Sequence, residues 1–190
     1  ILPQLVLLGI SVAWSQILLF PGILGSDPWW HNMFVSSILN VHAVPGGHWY
    51  TYMPFFHLEI AGASLLTGLD YRLAVMLSAS LAQVVIFPLA AYLIGKALFG
   101  DERIGFLAGL MLITANQQIG MSTASIPNGF AAIFMALVLV LLFRVNYTNP
   151  GRARYLTYFF LTVIILTHTV TAACMAVVLF LTWGACRLYD

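Results

Sequence analysis

Charged residues are scarce in this chain, where Asp, Glu, Lys and Arg together make up 7% of 190 residues. A soluble globular domain carries roughly 25% charged residues, so the composition excludes an ordinary water-soluble fold. Hydrophobic residues account for 62% of the chain and the mean hydropathy is +0.97. We therefore expect an all-α protein, a polytopic bundle of transmembrane helices that forms a single module.

Cysteine is also rare, and the net charge is only +1. Cys174 and Cys186 lie in one apolar run without ligand-type neighbours, which argues against a disulfide framework and a thiolate metal site. The net charge by itself says nothing about partners, and we expect no nucleic acid to bind. Because the chain opens on Ile-Leu-Pro and stops just after an apolar segment, we expect a fragment of a longer protein.

Six apolar stretches are predicted as spanning segments, of which the first has about the length that a spanning helix needs. They are predicted at about 2–24, 72–99, 104–121, 129–144, 154–167 and 170–187. The last two belong to one stretch, Arg154 to Arg187, which is interrupted at His168. As one helix it would be roughly 50 Å long, against a hydrocarbon core of about 30 Å. Two helices that meet near His168 are favoured, and a single tilted helix stays open.

The segment from residue 25 to residue 59 interrupts this apolar background. It holds four of the five histidines together with Asp27 and Glu59. Ionisable groups are costly in a membrane-grade sequence and mark functional sites. The Asp27-Pro28 pair predicts a helix start with Asp27 as the N-cap. Two helices should follow, one over about 28–41 and one over about 53–68.

The few basic residues decide between two topologies. If residues 53–68 cross the membrane, Asp27 shares a face with several of these bases. If they stay on the side where they begin, six of the seven basic residues share one face. Those six are Lys96, Arg103, Arg144, Arg152, Arg154 and Arg187. Cytoplasmic loops collect Lys and Arg, so we predict an inside N-terminus and two juxtamembrane helices on the outer surface.

That topology gathers the candidate site residues outside the cytosolic face. Asp27 is either a helix cap or a general base, and the two roles are compatible. His31 follows one helical turn later and could orient that carboxylate, bind a phosphate or anchor the helix. Glu59 needs a partner among apolar neighbours, and Arg72 is the only base expected on that face. Arg72 is therefore predicted to pair with Glu59 or to contact a phosphate.

The remaining candidates have weaker patterns. His48, Tyr52 and His57 could bind an anionic headgroup, while the aromatic residues beside them also suit an interfacial belt. His168 is either a polar kink or a substrate contact. A divalent metal could be bound, because histidine and carboxylate side chains are metal ligands, but no tight spacing enforces it. The residues considered for it are Asp27, His31, His42, His48 and Glu59.

Three short motifs resemble the first extracytoplasmic loop of the GT-C superfamily of glycosyltransferases. They are Ser-Asp-Pro-Trp-Trp-His at 26–31, Tyr-Met-Pro-Phe-Phe-His at 52–57 and Thr-Gly-Leu-Asp-Tyr-Arg at 67–72. Segments 93–100, 105–113 and 166–168 resemble later parts of the family in the same order. These polytopic enzymes use polyprenyl-phosphate-linked sugars. They include the oligosaccharyltransferase catalytic subunit, protein O-mannosyltransferases and aminoarabinose transferases.

The resemblance implies that Asp27 is the catalytic acid of the first loop and that residues 53–68 are juxtamembrane. It implies a polyprenyl-phosphate-linked sugar donor, membrane lipid as a partner and an acceptor that the sequence does not identify. The site would lie on the extracytoplasmic side, with the plasma membrane of a prokaryote as the expected location. Asn128 stands where many members have a second acid, which puts a metal bridged by two acids, and activity itself, in doubt. A non-catalytic module that binds lipid-linked glycan or partner subunits, and a transporter, are the alternatives.

Overall fold

A computed structural model of the chain describes residues 2–143 and 150–189, and these ranges are helical with no strand, as expected. The helices are α1 (Leu2–Leu19), α2 (Ser26–Val41), α3 (Phe55–Thr67), α4 (Tyr71–Val75), α5 (Leu81–Phe99), α6 (Glu102–Thr114), α7 (Asn116–Thr123), α8 (Pro127–Phe143), α9 (Pro150–Thr167) and α10 (Thr169–Tyr189). A π-helical turn, Met76–Ser80, joins α4 to α5, and a short 3₁₀ helix, Trp49–Thr51, lies between α2 and α3. The all-α prediction is confirmed.

Several of these helices have the length and composition of membrane spans. Within the described ranges, Leu2–Leu19, Tyr71–Phe99 and Thr169–Leu188 qualify, and α6 with α7 makes a fourth if the two count as one bent span. Helix α8 is apolar but shorter. The described residues thus form three or four candidate spans, which is compatible with an integral membrane protein, while six crossings stay a prediction. Arg144, the expected end of one crossing, lies outside the described residues.

The predicted single helix over 104–121 is wrong in one respect. Helices α6 and α7 meet at a bend of 60°, because Ala115 has an extended backbone with φ −68° and ψ 126°. Just before it, the Thr114 hydroxyl donates to the carbonyls of Leu110 and Met111. Such bonds give the last turn an alternative to continued helix, and the helix restarts with the amide-rich residues of α7.

Close packing of α5 against α6 depends on glycine. A Cβ atom on Gly105 would lie 2.6 Å from the carbonyl oxygen of Tyr92, and one on Gly109 would lie 2.9 Å from that of Pro88. Neither backbone oxygen can move without bending α5. The two glycines of the Gly105-xxx-Gly109 spacing therefore allow the backbones of α5 and α6 to approach closely.

We expect Gly105→Ala to destabilise the protein by about 1–3 kcal/mol, because the methyl group overpacks a contact with fixed backbone. The matched control is Gly184→Ala in α10, where an added Cβ meets nothing within 4 Å. That change should be neutral or stabilising, since alanine is the better helix former. The unfolding temperature in detergent measures both. Equal effects of the two substitutions would contradict the packing argument.

The two ends of the bundle carry different side chains. At one end Lys96 pairs with Glu102, and Arg103 lies beside Leu2. The end of α8 lies there too, since Val140 lines a pocket together with Lys96. One small cavity lies at the opposite end of the bundle. It is surrounded by the last turn of α1 and the residues after it, the start of α2, the start of α4 and the turn after α7. The candidate site residues gather around this second end.

Candidate functional site

Asp27 lies in the first turn of α2, and its side chain is 61% exposed. The helix begins earlier than expected, because Gly25 takes a φ of +87°, which glycine adopts without strain, and Ser26 is already helical. No side-chain cap hydrogen bond forms at this end, so the prediction that Asp27 is the N-cap is wrong. A carboxylate in the first turn is still favoured by the helix dipole. Its oxygens are not used for capping.

His31 and His57 form a buried pair behind Asp27. Nδ1 of His31 lies 3.0 Å from Nε2 of His57, and the two residues are 1% and 0% exposed. On the other side of the His31 ring, Nε2 lies 3.6 Å from Oδ1 of Asp27. The one-turn relation between Asp27 and His31 is therefore confirmed. The contact of His31 with His57 joins α2 to α3 and has no counterpart in the sequence analysis.

Aromatic rings enclose the histidine pair. The rings of Phe34 and Tyr50 each lie 4.7 Å from that of His57, and Tyr50 lies 5.0 Å from His31. Phe56 packs edge-on against both imidazoles. Such surroundings exclude water and favour the neutral form of an imidazole.

The burial lowers the pKa of both histidines. The pKa of His31 is lowered to about 4, mainly by desolvation, against the opposing attraction of Asp27 and with smaller contributions from His48 and His168. Desolvation likewise lowers the pKa of His57 to about 3, with added repulsion from His31 and His48. Both rings are neutral at pH 7, so the pair acts through its hydrogen bonds.

We expect the protein to lose stability as the pH falls from about 6.5 toward 4. An unfolded histidine titrates near pH 6.5, so below that pH the unfolded chain binds protons that the folded pair excludes, and unfolding is favoured. Above about pH 6.5 the pair is neutral in both states, and its contribution is constant. Thermal unfolding in detergent across this window measures the loss. A variant with His31→Gln and His57→Gln should lose less, and an equal loss would assign the effect to other groups.

The loop between α2 and α3 lies against the junction of α9 and α10. The Thr169 hydroxyl donates to the sulfur of Met53 at 2.6 Å, and a groove of about 800 Å³ lies between loop and junction. Trp49 and Tyr52, each 83% exposed, line the groove from the loop side. Its lining residues are Gly47, His48, Trp49, Tyr52, Met53, Ile165, Thr169 and Ala172. The groove is mainly apolar and large enough for a substantial part of a ligand.

His48 connects this groove to the buried pair. The His48 ring accepts a hydrogen bond at Nδ1 from the backbone N–H of Tyr50 at 3.3 Å, and the backbone N–H of His48 donates to the Thr51 hydroxyl at 3.3 Å. The imidazole stacks on Tyr50 at 5.5 Å, and Tyr50 in turn contacts His57. The sequence identified His48 and His57 but assigned Tyr50 only to an aromatic belt.

His168 is the residue between α9 and α10, which confirms the predicted helix break. Its Nδ1 accepts the N–H of Thr171 at 3.3 Å and so caps α10. Its ring is within electrostatic range of Asp27 and of His31. The structure thus brings His168 to the Asp27 end of the bundle from a distant part of the sequence.

Arg72 and Glu59 do not form the expected ion pair. Nη1 of Arg72 donates to the carbonyls of Ile17 at 3.0 Å and Phe20 at 2.8 Å, groups that lack partners where a helix ends. Arg72 therefore closes the end of α1. Burial raises the pKa of Glu59, and the nearby Ser78 side chain opposes that rise. The prediction of the pair is wrong, because α3 turns Glu59 toward the π-helical turn while Arg72 points to α1.

Asn128 lies in the first turn of α8, where its Oδ1 accepts the N–H of Gly129 at 2.6 Å. The turn that precedes α8 contributes Ser125 to the small cavity, about 20 Å³ in volume, that is also lined by Pro28 of α2. A cavity of that size holds about one water molecule. The first turn of α2 and the turn after α7 therefore lie at the same end of the bundle, as the predicted topology requires.

The residues considered as metal ligands do not converge. In the part of the chain that the structure describes, no three His, Cys, Asp or Glu side chains are grouped to hold a metal ion. His42 ends α2 in a left-handed conformation with φ 53° and is exposed, while Glu59 faces Ser78. Asp27, His31 and His57 are instead arranged in series.

Comparison of the chain with protein-family models, with curated proteins and with solved structures gave no match. The site is therefore defined by its own geometry. That geometry is an exposed carboxylate backed by two buried imidazoles, beside an apolar groove with aromatic walls.

Proposed function

We propose that this chain is a membrane glycosyltransferase module of the GT-C type, which transfers a sugar from a polyprenyl-phosphate-linked donor to an acceptor on the extracytoplasmic side. The observation that carries the proposal is the surroundings of Asp27. Its carboxylate is exposed at one end of an apolar bundle with His31 beside it, and His57 and His168 lie at the same end. Ionisable side chains gathered in a membrane protein mark a functional site.

The charge distribution supports an extracytoplasmic location for this end. Lys96 and Arg103 lie at the opposite end, and α9, which carries two further arginines in its first turns, begins a few residues after α8 ends there. Cytoplasmic loops collect Lys and Arg, so that end faces the cytosol. Helices α2 and α3 then rest on the outer surface, where the exposed Trp29 and Trp30 suit the headgroup region.

Asp27 serves as the general base in the proposed reaction. An acceptor hydroxyl or amide attacks the anomeric carbon of the sugar, and a new bond from oxygen or nitrogen to that carbon forms. The bond between the anomeric carbon and the phosphate oxygen breaks, and its electron pair leaves with the polyprenyl phosphate. The acceptor proton passes to the Asp27 carboxylate. A well-placed base contributes about 100- to 10,000-fold to the rate of such a step.

The groove beside the loop provides a place for the donor. An isoprenoid chain is apolar, as are the groove walls formed by Ile165, Met53 and the ring of Trp49. His48 stands where the groove meets the loop, within reach of a headgroup. Among the described residues, Arg72 is the guanidinium placed at this end of the bundle, and since a guanidinium has five N–H donors, we assign those not used on α1 to the leaving phosphate. Tyr52, Asn128 and His168 complete the proposed substrate surroundings, whereas His57 is fully buried behind Asp27 and Glu59 faces Ser78, so neither contacts the substrate.

A divalent metal is not assigned a role in this mechanism. The donor set near Asp27 does not group three ligands among the described residues, and Asn128 supplies an amide where a second carboxylate would be needed. The proposed step therefore uses only side chains of this chain.

The test is consumption of the donor by the purified protein in proteoliposomes. A polyprenyl-phosphate donor that carries a labelled sugar should be converted to free polyprenyl phosphate. The label should appear on an added acceptor or, after transfer to water, as free sugar. Binding of the donor without conversion would overturn the enzymatic proposal in favour of a non-catalytic binding module. Substrate-dependent flux across the liposome membrane without conversion would indicate a transporter.

A further inference from the structure

We infer that His57 fixes the tautomer of His31, so that His31 presents an N–H group to Asp27 and the pair positions that carboxylate. The inference rests on the proposed function for its effect on catalysis, but not for the tautomer itself. It assigns His31 and His57 as positioning residues that act through Asp27 rather than as contacts of the sugar donor.

The three side chains are arranged in series. The imidazole of His31 lies between two partners and turns one nitrogen to each, Nε2 to Asp27 at 3.6 Å and Nδ1 to His57 at 3.0 Å. Its Nε2 is buried and has no hydrogen-bond partner. A neutral imidazole carries a single N–H, on one nitrogen or the other. The two contacts of His31 therefore cannot both be donated by His31.

Only one arrangement suits both contacts. If His31 donated from Nδ1, its bare Nε2 lone pair would face the Asp27 carboxylate, and both groups are acceptors. If His57 donates from Nε2 to Nδ1 of His31, then the His31 proton lies on Nε2 and points at Asp27. At 3.6 Å this contact is longer than a hydrogen bond, yet a carboxylate favours the N–H end of a ring over a lone pair. In either arrangement Nδ1 of His57 stays buried without a partner. The contact of His31 with Asp27 therefore decides between the two arrangements.

The aromatic shell keeps the rings in place. Phe34, Tyr50 and Phe56 contact the imidazoles at ring-centre distances from 4.7 to 5.8 Å. Rotation of either imidazole would require these rings to repack. Asp27, in contrast, is 61% exposed and would sample several rotamers without a fixed neighbour. A locked N–H on His31 gives the carboxylate one preferred direction.

Nitrogen NMR of protein labelled at histidine tests the tautomer without any substrate. Protonated and bare imidazole nitrogens resonate at well separated positions, and His31→Gln and His57→Gln assign the two buried rings. We expect His31 with its proton on Nε2 and His57 with its proton on Nε2 at neutral pH. A His31 proton on Nδ1 would overturn the inference, whatever the activity of the protein.

Two substitutions of His57 test the effect on catalysis. A glutamine amide reaches the position of Nε2 and can donate to His31, whereas an asparagine amide reaches only the position of Nδ1. Where a histidine binds a metal, loss of the group that fixes its tautomer lowers metal affinity or activity by about 10- to 100-fold. We expect His57→Asn to lower kcat by about 10-fold or more with little change in KM, and His57→Gln to retain most of the activity.

The outcomes of these two measurements separate the two proposals. If the wild-type protein shows the expected tautomer but consumes no lipid-linked sugar, the proposed function fails and the tautomer assignment holds. If the wild type is active and His57→Gln and His57→Asn have equal kcat at equal unfolding temperature, the positioning role fails. If both variants unfold at lower temperature, the tautomer of His31 in the wild type decides alone.

Discussion

Asp27→Asn will abolish sugar transfer and leave the helical bundle intact. Asparagine has almost the same shape as aspartate but cannot accept the proton of the acceptor, so the loss should reach about 100- to 10,000-fold in kcat/KM. The side chain is 61% exposed and makes no capping hydrogen bond, and an asparagine amide oxygen can still face Nε2 of His31, so the fold should be retained. The initial rate of donor consumption in proteoliposomes measures the effect, and the unfolding temperature shows that the fold is retained.

Asp70→Asn is the matched control for this prediction. Asp70 is also exposed, and its Oδ1 accepts the N–H of Leu73 at 2.8 Å as the cap of α4. Asparagine caps helices about as well as aspartate, so this change alters charge near the same end of the bundle without removing a base. We expect nearly full activity. A comparable loss in the two variants would show that overall charge, not proton acceptance by Asp27, supports the reaction.

Trp49→Ser will weaken binding of donors with long isoprenoid chains. The indole is 83% exposed and lines the groove between the loop and the junction of α9 and α10. Burial of such a ring against an apolar chain is worth about 1.5–3 kcal/mol, which corresponds to roughly a tenfold or greater rise in KM at about 1.4 kcal/mol per factor of ten. The measurement is KM for a donor with a long chain and for one with a short chain that does not reach the groove.

Trp29→Ser provides the comparison for Trp49→Ser. Trp29 is 52% exposed on α2 but does not line the groove. Its loss should alter the contact of α2 with the membrane, and any change in KM should be the same for both donors. A rise in KM for the long-chain donor alone, in Trp49→Ser alone, supports the groove as the donor path. If both variants raise KM equally for both donors, the groove is not that path.

Several features of the fold could be predicted because they depend on segment length, on the distribution of charged residues or on helical spacing, all of which can be counted in the sequence. The break at His168 was predictable because the apolar run around it is longer than a bilayer is thick. The separation of Lys96 and Arg103 from Asp27 followed from the charge bias between loops. The neighbourhood of Asp27 and His31 followed from helical spacing alone.

Other features depend on partners that leave no mark in a sequence. Arg72 binds two backbone carbonyls of the α1 end, and any residue type supplies such acceptors, so the side-chain partner Glu59 was a better guess from the sequence alone. The contact between His31 and His57 spans 26 positions and depends on how the intervening loop folds. The bend at Ala115 arises from a single extended residue within an apolar stretch.

The central claim is that Asp27, the loop after α2 and the whole of α3 lie on the extracytoplasmic surface, at the opposite end of the bundle from Lys96. Labelling of single cysteines in intact cells with a membrane-impermeant reagent tests it most directly, after Cys174 and Cys186 are replaced by alanine. Suitable positions are Trp49, Thr67 and Phe99, which are exposed and lie before α3, at the end of α3 and at the end of α5.

We expect Trp49→Cys and Thr67→Cys both to be labelled from outside the cell, and Phe99→Cys to be labelled only after the membrane is opened. Labelling of Trp49→Cys and Thr67→Cys from opposite sides would show that α3 crosses the membrane. That result would separate Asp27 from the outer surface on which the proposed transfer site depends, and would contradict the account.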